Sequence, residues 1–156
     1  MLVTGANRGL GRQFAISLLD RGAGKVYATA RRPDLIDVPG VVPLRLDITD
    51  PASIAAAAAA APDVKIVINN AGVSTGANLV TGDLEMIRRE MDTHFYGTLN
   101  VIRAFAPQLA DGAILNVLSA LSWLAYDGAG AYHGAKAAEW ALTNSVAWSW
   151  PTSAPW

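Results

Sequence analysis

The sequence predicts an α/β domain built on a mostly parallel sheet, and three observations carry that reading. Hydrophobic residues make up 52% of the 156 residues, and the short apolar runs are continuous, as expected of strands buried on both faces. Those runs alternate with stretches of helical spacing, the βαβ pattern. A glycine-rich turn joins the first strand to the first helix, where an open parallel sheet receives its ligand.

Each element can be justified in chain order. Met1 to Val3 is a short apolar strand running into Thr4-Gly5-Ala6-Asn7-Arg8-Gly9-Leu10-Gly11. Phe14, Ala15, Leu18 and Leu19 then fall at helical spacing until Asp20-Arg21-Gly22 ends the run. Lys25 to Ala30 is the second strand and Val41 to Leu46 the third. Asp50 followed by Pro51 is an N-cap with proline at the first helical position, opening an alanine-rich helix to about Ala61. Val64 to Ile68 is the fourth strand. From Asp83 to about Leu109 one long helix is expected, with Leu84, Ile87, Met91, Phe95, Leu99, Ile102 and Phe105 along one side. Gly112 to Leu118 is the fifth strand, and a last helix opens near Tyr132 and runs through Val146.

Charge and composition narrow the function classes. Twelve basic and thirteen acidic residues give a formal charge of −1 with no basic patch, which argues against nucleic acid and anionic membranes as partners. No apolar run approaches the roughly 18 residues needed to span a bilayer, and the amino terminus lacks a signal-type core. With no cysteine there is no disulfide framework or thiolate metal site, so no metal centre is expected and a cytoplasmic location is the default.

Two stretches carry chemistry. In the first, Gly5, Gly9 and Gly11 sit between a strand and a helix, where glycines let backbone approach a pyrophosphate and the helix start supplies unpaired N–H groups. The spacing lacks the terminal Gly-Lys-Ser/Thr of a P-loop, which disfavours ATP hydrolysis. In the second, Tyr132 and Lys136 are four apart on a helix and share a face, with Ser119 thirteen residues before the tyrosine. A phenol is a poor acid at neutrality, and a nearby ammonium pulls its pKa down toward the working range.

These motifs together resemble the short-chain dehydrogenase/reductase family. Thr4 to Gly11 matches its TGxxxGxG segment, Asn69-Asn70-Ala71-Gly72 its NNAG motif, and Ser119, Tyr132 and Lys136 its catalytic spacing. The resemblance spans residues 1 to about 146 and implies a doubly wound Rossmann-type sheet of order 3-2-1-4-5. It implies that Gly5, Asn7, Arg8, Gly9, Leu10, Gly11, Arg31, Asp47, Ile48, Asn70, Ala71, Gly72, Tyr132 and Lys136 contact a nicotinamide dinucleotide, with Asp47 at the adenine. In the implied reaction Tyr132 exchanges a proton with the substrate oxygen, Lys136 lowers the tyrosine pKa and contacts the nicotinamide ribose, and Ser119 hydrogen-bonds the carbonyl. Ala30 occupies the place of the acid that would bind the NAD ribose, and Arg31 follows it with Arg8 nearby, so NADP(H) is favoured over NAD(H). The family's relay asparagine is replaced by His94, whose imidazole cannot offer the amide's paired contacts but titrates near neutrality.

The expected activity is hydride transfer between NADPH and a small carbonyl or alcohol, with Trp123, Leu124, Ala125 and Tyr126 walling an apolar substrate side. The resemblance allows a family-like homo-oligomer, and the truncation of the carboxyl half counts against it. The alternatives are a nucleotide-binding remnant without catalysis and a sugar-nucleotide epimerase or dehydratase, the latter disfavoured by the glycine spacing. Residues 147–156 read as a non-family tail in which the last helix does not continue. If Ser149 has an AGY codon, shifting the frame of Ala147 to Pro151 restores a Glu-Leu-Ala core, so a frameshift is the hypothesis. The gene sequence tests it: an alternative frame without a further apolar strand and a Pro-Gly loop refutes it. The expected consequence is a fifth strand left as an open sheet edge.

Overall fold

The computed structural model describes residues 1–150, and its contacts divide the chain into two compact units. The first comprises Met1–Ala71 and Asn100–Val117, the second Gly72–Leu99 and Leu118 onward.

The first unit holds the whole sheet. Strands β1 (Leu2–Val3), β2 (Tyr27–Ala30), β3 (Val42–Arg45), β4 (Ile66–Asn69) and β5 (Ala113–Asn116) pair in the order β3-β2-β1-β4-β5, every pair parallel. This is the expected 3-2-1-4-5 sheet. The central strand β1 is two residues long, aligning Leu2 with Tyr27 on one side and Val67 on the other. Val3, Ala6, Ala15, Val26, Ala28 and Ile68 form a buried cluster against it, with Phe14, Leu18 and Leu19 packed on from the first helix. Each fully buried Val or Ile in such a cluster contributes about 1.5–3 kcal/mol relative to exposure.

Helix α1 (Gly9–Asp20) ends where the sequence places its stop. Gly22 takes φ +86° and donates to Leu19 O, while Ala23 donates to Leu18 O, closing the last turn with a glycine in the left-handed region. Helix α2 (Pro51–Ala60) is capped by Asp50, whose carboxylate accepts from Ala52 N at 3.0 Å. Both chain positions that end the sheet are edges: β5 bonds only to β4 among the described strands, and Leu115 on it is half exposed.

The expected single helix over 83–109 is a corrected detail. Helix α3 (Leu84–Met91) passes into a π-helical segment, Asp92–Gly97, before helix α4 (Thr98–Phe105) and a 3-10 turn. A π turn widens the backbone by one residue, which periodicity alone does not reveal, and such turns gather at functional sites. In the second unit helix α5 (Gly130–Ser149) packs on α3 and the π segment. It also corrects the expected break at 147: Ala147, Trp148 and Ser149 remain helical, with Ser149 Oγ bonded to Ser145 O, because nothing in them stops a helix before Pro151. The rest of the anticipated tail, from Pro151, lies outside the described residues.

Candidate functional site

The chemistry-bearing residues fall into two groups, one in each unit. In the first unit the glycine turn is built around Thr4. Its buried hydroxyl oxygen accepts from the backbone N–H of both Asn70 and Ala71 at 2.9 Å, and the Asn70 amide donates back to Thr4 O at 2.9 Å. This laces the end of β1 to the end of β4. Asn69 does the same for the next pair, donating to the Asn116 side chain at 2.8 Å. The asparagines therefore tie neighbouring strand ends together, one of the roles their amides allow.

The glycines have separate duties. Gly5 and Gly9 stand at φ +65° and +55°, conformations that a side chain disfavours. A Cβ on Gly11 would meet Gly5 O at 2.3 Å and Asn70 Nδ2 at 2.5 Å, so that position admits only hydrogen, whereas the space around Gly9 is open. Arg8 at the N-cap offers no side-chain hydrogen bond to α1, and no acidic residue stands in its first turn. The first N–H groups of α1 are thus uncapped beside an exposed arginine, which suits an anionic group such as a pyrophosphate. These residues fit the phosphates of a dinucleotide.

At the end of β2, Arg31 and Arg32 are both exposed. Arg32 is engaged with Asp34 at 2.6 Å and Arg12 with Asp37 at 2.7 Å, whereas Arg8 and Arg31 have no salt bridge among the described residues. Asp47 accepts from the Thr49 hydroxyl at 2.7 Å and Thr49 N at 3.0 Å. Burial works against its carboxylate, but the Thr49 bonds and the charges of Arg31 and Arg45 outweigh it and hold the pKa below the ordinary value. Ile48 beside it is buried, Asn7 half-buried and Leu10 exposed at the start of α1.

In the second unit Ser119, Tyr132, Lys136 and His94 come together. Ser119 Oγ accepts from Leu121 N at 3.1 Å, capping a short 3-10 turn, and its hydroxyl is near enough to Tyr132 to lower the phenol's pKa. The Lys136 ammonium lies 5.8 Å from the Tyr132 ring centre, and the His94 ring meets Tyr132 edge-on at 5.2 Å. One expectation is reversed here. Burial, followed by the charges of Glu139 and Glu90, pushes the Tyr132 phenol above its ordinary value, with only Ser119 pulling it down. The Lys136 ammonium is paired with Glu139 at 2.7 Å.

His94 sits in the π segment and is buried. Its Nε2 lies 2.7 Å from Val73 O and 3.3 Å from Val73 N; a carbonyl oxygen only accepts, so the shorter contact assigns Nε2 as the donor over the longer approach of the Val73 N–H. Gly72 of the NNAG motif belongs to this group: a Cβ there would meet the His94 ring at 2.6 Å. Two carboxylates that the motifs do not mark complete the cluster. Glu90 Oε2 is 3.7 Å from Nε2 and Glu139 Oε2 is 3.6 Å from Nδ1, both acids being buried. The available signal was spacing: Glu90 stands four residues before His94, and Glu139 three after Lys136, on shared helix faces. Trp123, Leu124 and Tyr126 are mostly exposed; Trp123 stacks edge-on with Trp140 at 5.9 Å and Tyr126 with His133 at 5.0 Å. Among the described residues no helix is long and apolar enough to cross a membrane.

Comparison with known proteins identifies the family. The short chain dehydrogenase family pattern matches residues 1–153. An NADPH-dependent 1-acyldihydroxyacetone phosphate reductase of Schizosaccharomyces pombe is 33% identical over 94% of this chain and 53% of its own length. The NADPH carbonyl reductase 2 of Sus scrofa is 30% identical, over 94% of this chain and 63% of its own. A short chain dehydrogenase of Burkholderia cenocepacia, solved in complex with NADP, superimposes with a TM-score of 0.88 at 42% identity, covering 92% of this chain and 63% of that one. The chain thus spans between about half and two thirds of the length of these relatives. With the parallel 3-2-1-4-5 sheet and the matching family pattern, the chain belongs to the short-chain dehydrogenase/reductase family.

Proposed function

We propose that this chain serves an oxidoreductase that reduces a small carbonyl compound with NADPH. The observation that carries the reading is the Lys136 ammonium 5.8 Å from the Tyr132 ring centre, with Ser119 close enough to the phenol to pull its pKa down. Ser119 accepts from Leu121 N, which orients its hydroxyl as a donor to Tyr132 or to a carbonyl oxygen. Tyr132 delivers its phenol proton to that oxygen, and the high pKa of a buried phenol keeps the proton in place until negative charge develops. Lys136 holds an ammonium beside the phenol to stabilise the phenolate left behind, and donates to a ribose hydroxyl once it turns from Glu139.

The nicotinamide supplies the hydride when bound. Gly5, Gly9, Gly11 and the open start of α1 would hold the phosphates, Asp47 and Ile48 the adenine side, and Asn70 and Ala71 the inner edge. Preference for NADPH over NADH rests on Arg8 and Arg31, exposed cations without salt bridges among the described residues, suited to a 2′-phosphate. The names of two relatives and the ligand of the Burkholderia structure point the same way.

The test is titration of NADPH and NADH followed by tryptophan fluorescence, then carbonyl turnover with and without Tyr132→Phe. The expected result is tighter NADPH binding and turnover that Tyr132→Phe lowers by at least about a hundredfold, in the usual range for a lost general acid. Binding without Tyr132-dependent turnover would replace this reading with that of a nucleotide-binding chain.

A further inference from the structure

The buried cluster around His94 has more acid than the motifs account for. Each of its two glutamates has one carboxylate oxygen fixed and the other turned to the imidazole. Glu90 Oε1 accepts from Thr75 N at 2.6 Å and from the Thr75 hydroxyl at 2.9 Å, leaving Oε2 3.7 Å from His94 Nε2. Glu139 Oε1 accepts from the Thr98 hydroxyl at 3.2 Å, and its Oε2 is shared between Lys136 Nζ at 2.7 Å and His94 Nδ1 at 3.6 Å. Both Glu90 Oε2 and His94 Nδ1 lack a hydrogen-bond partner among the described residues although fully buried.

Nitrogen chemistry decides what Nδ1 can do. The 2.7 Å contact of Nε2 with Val73 O, shorter than its 3.3 Å approach to Val73 N, places a proton on Nε2. Nδ1 then presents either a lone pair to a carboxylate, which is repulsive, or an N–H to it, which is attractive. Charge balance favours the same choice: Glu90, Glu139 and Lys136 leave one net negative charge out of water, and a proton on His94 cancels it. The groups facing His94 are Glu90 from α3, Glu139 and Tyr132 from α5, and the Val73 carbonyl and N–H from the preceding loop, with Lys136 reaching it through Glu139.

We propose that Glu139 is a positioning residue that couples the proton on His94 to Lys136 and Tyr132, forming a side-chain relay where the family uses an asparagine and a held water. The proposal rests on the reductase reading for its direction. Tyr132 gives its proton to the substrate oxygen and becomes phenolate. An Nζ proton of Lys136 restores the phenol; the Nδ1 proton of His94 passes to the Glu139 carboxylate, and the carboxyl so formed hands it on to Lys136, restoring the ammonium. The net change is one proton from His94 to the substrate oxygen, and bulk water returns it between turnovers. The shared Oε2 of Glu139 is the link through which that proton passes.

The experiment needs no turnover. The full chain is labelled with 13Cζ-tyrosine and 15N-histidine; with four tyrosines and two histidines, Tyr132→Phe and His94→Asn assign the two signals by loss. Across the pH range in which the His94 nitrogens titrate, the Tyr132 carbon is expected to show a matching step in chemical shift, as coupled sites do. Glu139→Gln removes that step and Glu90→Gln leaves it. In the turnover assay Glu139→Gln lowers kcat about tenfold with the KM for NADPH within about twofold, the split expected when proton delivery and not binding is lost. A Tyr132 signal that does not move as His94 titrates, or a step that survives Glu139→Gln, overturns the relay. The Tyr96 signal, from the same unit, reports whether a variant is folded; if Glu139→Gln unfolds the chain, an unmoved Tyr132 signal in the unmutated protein still decides against the proposal. Loss of NADPH binding or turnover in the unmutated chain would remove the reductase reading and leave the coupling measurement standing.

Discussion

Substituting alanine at Gly11 and at Gly9 separates packing from backbone conformation within one turn. At Gly11 the added Cβ meets Gly5 O at 2.3 Å, Asn70 Nδ2 at 2.5 Å and Gly5 C at 2.9 Å. The nearest of these is backbone, so the clash cannot be relieved by a rotamer change, and α1 must move away from β1. Overpacking of that kind costs about 1–3 kcal/mol, and displacing Asn70 forfeits its bond to Thr4 O, worth about 1 kcal/mol. Gly11→Ala should therefore destabilise by about 3 kcal/mol, taking the two contributions together. At Gly9 the space is open and the cost is conformational, φ +55° being worth about 1–2 kcal/mol against a residue with a Cβ. Urea unfolding followed by circular dichroism measures both. Equal losses, or a milder effect at Gly11, would refute the assignment of Gly11 to close packing of helix against strand.

Three further outcomes are expected. Thr4→Val leaves the Asn70 and Ala71 N–H groups without their acceptor and should cost about 2–4 kcal/mol, with faster amide exchange at both positions. Arg31→Glu should move the ratio of NADPH to NADH affinity toward NADH by at least about tenfold, since it replaces a phosphate-pairing cation with a ribose-accepting acid; an unchanged ratio in the fluorescence titration would remove Arg31 from the cofactor site. Asp63, bonded to the Lys25 ammonium and the Tyr27 hydroxyl, has its pKa lowered to about 2. A carboxylate lowered in the fold contributes stability above its unfolded pKa of about 3.9 and loses it as pH falls through the folded value. The contribution therefore fades between about pH 4 and pH 2, and Lys25→Met should raise the Asp63 midpoint in a carboxyl NMR titration.

The first unit was legible because its signals are local. Gly5, Gly9 and Gly11 declare a turn whatever packs on it, Asp50-Pro51 declares a helix start, and the strand order followed from the motif set. The second unit resisted for a physical reason. Glu139 looks like any solvent-facing acid on a helix; its burial depends on Thr98, far away in sequence, and on a histidine carried by a π turn that helical periodicity conceals. The same spacing rule that paired Tyr132 with Lys136 could not show that Lys136 turns to Glu139 instead, since residues three and four apart are both neighbours on a helix. Trp123, Leu124 and Tyr126 were read by composition as a wall, and composition does not say which way a side chain faces.

The two-residue strand β1 also sets an order of events as the chain is made. It is the middle of the sheet, yet Leu2 finds one neighbour at Tyr27 and the other only at Val67, with Thr4 waiting for Asn70 and Ala71. During synthesis from the amino end, β1, β2 and β3 can assemble early as a three-stranded sheet with β1 as its open rim. That rim closes only when β4 has emerged, so the residues leading into the glycine turn spend the first part of the chain's life as a sticky margin. Chaperone capture or mispairing should therefore be most frequent on nascent chains that end before β4.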